Sequence, residues 1–333
     1  MSRQLTLITE IGTGLGMIPR IDLQTVFEGG APAELEGVDS AIWESLREWW
    51  STGSCSREFS AAFEDGRYFY ESDLGLRRRP PLTVEWKGPH QSPEDDPLPA
   101  DLRIDGVFIV SCKNLSKVLL NPSPAALFRS ALRDPGLGGH DWYEEIAPVE
   151  LASLYSASTG HLGLVDFPAS PAELSRSQRD ILKDRLARRW PEALAPEVAE
   201  WVSAVSTRSA ALINQKLATK RDRERFYWRL LRIHSAPYFI LGRQPSGPAR
   251  LRVLTPWDLR RRFSLDELEV LPACAGQPQV EWRAFFTDRD TGAKKVTVGH
   301  VEIRWSHGRF CGAPESKIYL DTPHEDACGY VPI

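Results

Sequence analysis

The run Val107-Phe108-Ile109-Val110 constrains this chain more than any other segment. It is apolar at every position, so it reads as a central strand covered on both faces. Ser111-Cys112-Lys113 follows directly. A lysine ending so apolar a strand is costly to bury unless an anion sits beside it. Upstream, Pro99-Ala100-Asp101-Leu102-Arg103-Ile104 supplies a partner strand and Asp105-Gly106 a turn. Residues 99–113 therefore read as a β-hairpin, with an acid on its first strand and a lysine at the inner end of its second.

The turn decides whether the two meet. A two-residue turn at Asp105-Gly106 sets Asp101 opposite Val110, facing away from Lys113. A three-residue turn, Ile104-Asp105-Gly106 with a left-handed Gly106, sets Asp101 opposite Ile109. Asp101 then shares a face with Ser111 and Lys113. Diagonal neighbours there lie roughly 7–8 Å apart, close enough for carboxylate and ammonium to serve one metal and its water. The functional reading thus predicts the three-residue turn. Asp105 lies at the tip, roughly 25 Å from Lys113 along a strand, and is set aside.

This pattern resembles the PD-(D/E)xK nuclease superfamily, the restriction-endonuclease-like fold, over roughly residues 40–135. There a helix supplies a glutamate, a strand an aspartate, and the next strand acid-x-lysine. Pro99-Ala100-Asp101 and Ser111-Cys112-Lys113 follow that order, with Ser111 in place of the middle acid. A serine hydroxyl is a weak neutral ligand, so another carboxylate must compensate. Glu71, ending a helix, is the first choice, Glu64 the alternative, and Glu85 on the preceding strand the third. A rival register, Asp73 with Glu85-Trp86-Lys87, has the better residues in a poorer setting: a short strand preceded by Pro80 and Pro81. The resemblance implies Mg²⁺ (or Mn²⁺) held by Asp101, the Cys112 carbonyl and Glu71 or Glu85. It also implies that Lys113 orients the attacking hydroxide and that the product carries a 5′-phosphate.

With 333 residues, 42% hydrophobic and 26% charged, the chain is long enough for one large or two ordinary globular domains. The fold expected is α/β (α+β), a mixed central sheet flanked by helices. A nuclease-like core is expected over 1–235, with long helices at 172–234. A β-rich region over 236–333 is either a recognition module or an extension of the core sheet. Gly12-x-Gly14-x-Gly16 has the wrong spacing for a dinucleotide fingerprint and is read as a turn. Helices are expected over 123–132, near Trp142–Ala157, and unbroken over about 197–233. A proline-rich loop is expected over 88–99 and a glycine-rich break over 134–140.

The net charge of −4 excludes a generally basic nucleic-acid binder but leaves local basic surfaces open. Arg77, Arg78, Lys220, Arg221 and Arg225 are the candidate phosphate contacts; a solvated helix face is the alternative for the last three. Five scattered cysteines fit reduced thiols, and no apolar run approaches the ~18 residues of a membrane span. The expected location is cytoplasmic, without membrane contact. His307-x-x-x-Cys311 and His324-x-x-x-Cys328 offer four zinc-type donors, but no close Cys-x-x-Cys knuckle is present and the spacing reads as coincidence. Among the 11 tryptophans, most read as core edge and one or two as base-stacking platforms. Base-edge reading by Arg304 or His307 is a weaker option.

The function expected is metal-dependent cleavage of DNA in restriction, antiviral defence or repair. DNA, and protein partners of such a system, are the expected partners, and a homodimer is compatible. The alternatives are a degenerate nuclease fold that binds nucleic acid without cutting, and a protein-interaction module.

Overall fold

A computed structural model describes residues 3–88, 99–114, 118–120, 124, 127–128, 141–186, 189–244 and 247–333. Nearly all of the expected proline-rich loop, the helix at 123–132 and the glycine-rich break lie outside these residues. The protein is mixed α and β, with two sheets, one seven-stranded and mixed, the other five-stranded. The chain divides into two interleaved compact units.

The first unit comprises Met1–Lys117, Ile233–Arg261 and Pro323–Ile333. Its helices are α1 (Arg3–Met17), α2 (Leu23–Gly29), α3 (Ser40–Ser51), α4 (Ser56–Glu71) and a short one at Pro256–Arg262. Its strands are β1 (Leu35–Glu36), β2 (Val84–Trp86), β3 (Leu102–Ile104), β4 (Phe108–Asn114), β6 (Tyr238–Gln244), β7 (Gly247–Val253) and β12 (Tyr330–Pro332). They run in the order β1-β2-β3-β4-β6-β7-β12. The β1–β2 and β4–β6 pairs are parallel and the other pairs antiparallel. Val84, Trp86, Leu102, Ile104 and Val110 alternate onto the face that buries Ile8, Ile11 and Leu15 of α1.

Residues 3–17 form a helix, not the turn that their glycines suggest. The glycines instead let α1 and α4 pack backbone to backbone. A Cβ on Gly16 would stand 2.1 Å from the Phe63 carbonyl oxygen, and one on Gly66 would stand 2.0 Å from that of Thr13. Close contact offsets the cost of glycine in a helix, roughly 1 kcal/mol each relative to alanine. On α4, Asp65 is buried and accepts from Arg250 Nε of β7 at 2.9 Å.

The second unit comprises Val118–Arg232 and Arg262–Thr322. Its helices are α5 (Trp142–Ile146), α6 (Pro148–His161), α7 (Arg176–Arg185), α8 (Ala195–Lys216) and α9 (Lys220–Leu230). Its strands are β5 (Val118–Leu120), β8 (Phe263–Cys274), β9 (Pro278–Asp288), β10 (Lys294–Arg304) and β11 (Glu315–Leu320). They form an antiparallel sheet ordered β5-β11-β10-β9-β8. Helix α8 packs on β8 and β9, where Asn214 donates through Nδ2 to the Val270 carbonyl at 2.6 Å and accepts through Oδ1 from the Val270 N–H at 3.0 Å.

Two expectations are corrected here. The long helix expected over 197–233 is two helices, because Thr219 accepts from the Asp222 N–H and caps a new start. The units also do not part the chain at 235/236: β6 and β7 return to the first sheet because β6 pairs with β4, and β12 joins it beside β7, while β8–β11 build the second. Among the described residues, no helix is long and apolar enough to cross a membrane.

Candidate active site

The hairpin is present, in a different register from the one expected. Ile104 pairs with Phe108, so the loop is Asp105-Gly106-Val107, with Asp105 (φ 52°) and Gly106 (φ 67°) both left-handed. The Asp105 carboxylate accepts from the N–H groups of Leu82 and Thr83, at 2.7 and 3.0 Å, which gives it a structural role at the tip. Leu102 is registered with Val110, and the Asp101 N–H also donates to the Val110 carbonyl at 2.9 Å. Two residues thus address one, a bulge that turns Asp101 across the strand end. Its Oδ2 accepts from the Cys112 N–H at 2.6 Å and from Ser111 Oγ at 3.2 Å. Ser111 therefore orients Asp101. It does not replace the missing acid.

A second carboxylate comes from α1. Glu10 is half-buried, and the Trp86 indole Nε1 donates to its Oε2 at 2.7 Å. Burial pushes the Glu10 carboxyl up to about 7, and the charge of Asp101 pushes the same way. The Trp86 bond and the Lys113 charge oppose them. The Cys112 thiol is driven up by its enclosure and then by Asp101 and Glu10, against Thr13 and Lys113. Glu10 therefore lies within the fields of Asp101 and Lys113, and Cys112 within those of all three, at one end of β3 and β4. Two carboxylates beside one lysine, one of them raised into the neutral range, form the kind of cluster found at functional sites.

His324 adds a group that sequence reasoning placed elsewhere. It is buried and stacks on Tyr330 with 5.6 Å between ring centroids. Burial pushes its imidazole down to about 4, against the Glu325 charge and with that of Lys113, so it is neutral at neutral pH.

Glu71 and Glu64 are not brought to this cluster. Both are exposed on α4. Phe69, two positions before Glu71, packs edge-on against Phe108 at 5.7 Å, at the turn end of β4. That end lies about 17 Å along the strand from Lys113. Glu85 alternates away from Trp86 and pairs with Lys87 at 2.9 Å, so the acid and the lysine of the rival register bind each other.

The candidate phosphate contacts fall in both units. Arg77 and Arg78 are exposed in left-handed positions after α4. Lys220 and Arg221 are exposed on α9, where Lys220 Nζ bonds Ser264 Oγ at 3.0 Å; Arg225 is half-buried. Of the histidine–cysteine pairs, His307 faces Glu315 at 3.4 Å and the Cys311 thiol meets the Arg179 carbonyl at 3.0 Å. Among the described residues, no three His, Cys, Asp or Glu side chains gather as a metal group.

Comparison with protein-family models, with curated proteins and with solved structures finds no match for this chain.

Proposed function

We propose that the chain is a Mg²⁺-dependent (or Mn²⁺-dependent) endonuclease of the PD-(D/E)xK type, acting on DNA in restriction, defence or repair. The observation that carries this reading is the convergence of Glu10 from a helix, Asp101 from a strand and Lys113 from the next strand. It is the order in which that superfamily supplies its residues.

The donor set suits Mg²⁺. That ion commonly takes one or two protein carboxylates and fills its octahedron with water and substrate phosphate oxygens. Asp101, Glu10 and the Cys112 carbonyl would hold it. Glu10 supports the assignment because its raised carboxyl asks for a proton or a cation beside Asp101. When bound, the ion would supply Lewis acidity toward the scissile phosphate and a more acidic water.

The protein's own groups take defined parts. Ser111 and the Cys112 N–H fix Asp101 through the same oxygen. Trp86 fixes Glu10 and favours its ionised form. Lys113 carries positive charge where the attacking water and the pentacovalent phosphate would gather negative charge. Neutral His324 adds no second cation there.

The test is cleavage of supercoiled plasmid with Mg²⁺, Mn²⁺ or EDTA, by wild type, Glu10→Gln and Lys113→Ala. Metal-dependent nicking lost in both variants is expected, by a factor on the order of 10³ for each. Nicking that both variants retain would overturn the site. DNA binding by the wild type without nicking in either metal would point to the degenerate, binding-only reading, which the neutral Ser111 favours.

A further inference from the structure

Within the second unit lies a cavity of about 1050 Å³ that the proposed nuclease site does not use. Its wall is aromatic. Trp201 and Trp305 stack with 5.1 Å between centroids and planes 10° apart, and Trp190 meets both at 6.5 Å. Among the described residues its charged lining is cationic, Lys183, Arg189, Arg304 and Arg309, with His307 beside them and no acidic side chain. Arg309 lies over the Trp190 ring at 3.8 Å, and Lys183, Arg189 and His307 are exposed at the mouth.

Two pairs tie part of this charge down: Arg304 with Glu302 at 3.3 Å, and His307 with Glu315 at 3.4 Å. Three lining residues also carry donors that are buried without a hydrogen-bond partner, Trp201 Nε1, Trp305 Nε1 and Arg304 Nε, enclosed in the packing behind the open space. The cavity also depends on a bare backbone. Gly308 sits at φ 116°, and a Cβ there would meet the Lys183 stem at 2.6 Å.

We infer that this cavity binds a phosphorylated nucleoside. The partly exposed indoles of Trp190 and Trp305 receive the base, and the cationic mouth holds the phosphate. The combination selects this class. A bare phosphate has no use for the indoles, and an uncharged aromatic has none for the cations. The size is at the upper end of the ~300–1,000 Å³ typical of small-molecule sites. Stacking on aromatic side chains with cations tracking the backbone is how proteins hold unpaired bases. The nucleotide comes either free or as an unstacked unit of a DNA strand.

The probes are dAMP, inorganic phosphate, a single-stranded octamer of deoxyadenylate and its abasic counterpart of equal phosphate count. Full-length Asp101→Asn protein in EDTA removes cleavage, so failure of the nuclease reading leaves this result untouched. Binding is read by calorimetry. The intact octamer, dAMP or both should bind at least tenfold more tightly than the abasic octamer or phosphate, respectively. A gain confined to dAMP identifies a free nucleotide; a gain on the octamer identifies a strand. Trp190→Ala should abolish the gain and Trp190→Phe should keep most of it. Lys183→Ala should weaken intact and abasic octamers alike and lower the salt slope by about one. Equal affinity for intact and abasic octamers, with dAMP no better than phosphate, overturns the inference. So does a gain that survives Trp190→Ala.

Discussion

The Trp86 indole donates to Glu10 at 2.7 Å, and with Lys113 it is what draws that carboxyl down against burial and Asp101. Trp86→Phe removes the donor and keeps a ring in the core. The Glu10 carboxyl should then rise above about 7. If an ionised Glu10 is required, the acidic limb of the pH–rate profile should move up by about one pH unit. A limb that stays in place would remove Glu10 from the reaction.

Glu10 and His324 should tilt stability with pH in opposite directions. The folded Glu10 carboxyl titrates near 7 instead of 4.5. Between those values the native state holds the extra proton, so stability falls as pH rises. His324 titrates near 4 instead of 6.5. There the unfolded state holds the extra proton, so stability rises with pH across that window. Glu10→Gln should therefore gain stability relative to wild type from pH 4.5 to 7, by an amount on the order of 2 kcal/mol. His324→Gln should gain relative to wild type as pH falls from 6.5 to 4. Urea titrations at several pH values give both difference curves. Parallel curves for variant and wild type would contradict either shift.

Ser111 is buried and holds Asp101 at 3.2 Å. Ser111→Ala should cost about 1 kcal/mol of stability and reduce cleavage less than Asp101→Asn does. Ser111→Asp sets a second carboxylate beside Asp101, which should destabilise the metal-free protein and raise its affinity for Mg²⁺. Melting with and without Mg²⁺ distinguishes these. The Mg²⁺-induced rise in Tm should be larger for Ser111→Asp than for wild type, because a ligand stabilises in proportion to its affinity for the native state.

The strand pair that carries Asp101 and Lys113 was legible because alternation and an uninterrupted apolar run leave few other readings. The face shared by Asp101 and Ser111 was legible too, although the loop lies one residue later than expected. Glu10 was not, because Gly12, Gly14 and Gly16 suggest a turn when judged by propensity alone. A different signal was present: Leu5, Ile8, Ile11, Leu15 and Ile18 recur at helical spacing. Tertiary contact with α4 decides the matter, and a glycine that serves helix packing looks locally like a glycine that breaks a helix. The break at Thr219 was hidden in the same way by a charge pattern continuous across it. The interleaving of the two units depends on β4 pairing with β6, a long-range contact with no local signature.

The α1–α4 contact is also where the fold and the site are most tightly joined. A Cβ at residue 66 would stand 2.0 Å from the Thr13 carbonyl oxygen, with backbone on both sides, so neither helix can yield without moving the other. At residue 12 the corresponding contact is with the Ala62 Cβ at 3.0 Å, which a shift of a few tenths of an ångström relieves. Gly66→Ala should therefore cost about 3 kcal/mol or more, beyond its gain in helix propensity. Gly12→Ala should lie within about 1 kcal/mol of wild type. Because α1 carries Glu10 one turn from Thr13, the displaced helix should also lengthen the Trp86–Glu10 bond. Gly66→Ala that still folds should then show weaker Mg²⁺ stabilisation, and Gly12→Ala should not. Urea unfolding gives the first comparison and the Mg²⁺-dependent rise in Tm the second. Equal costs for the two substitutions would mean that the close approach of α1 and α4 does not set the position of Glu10.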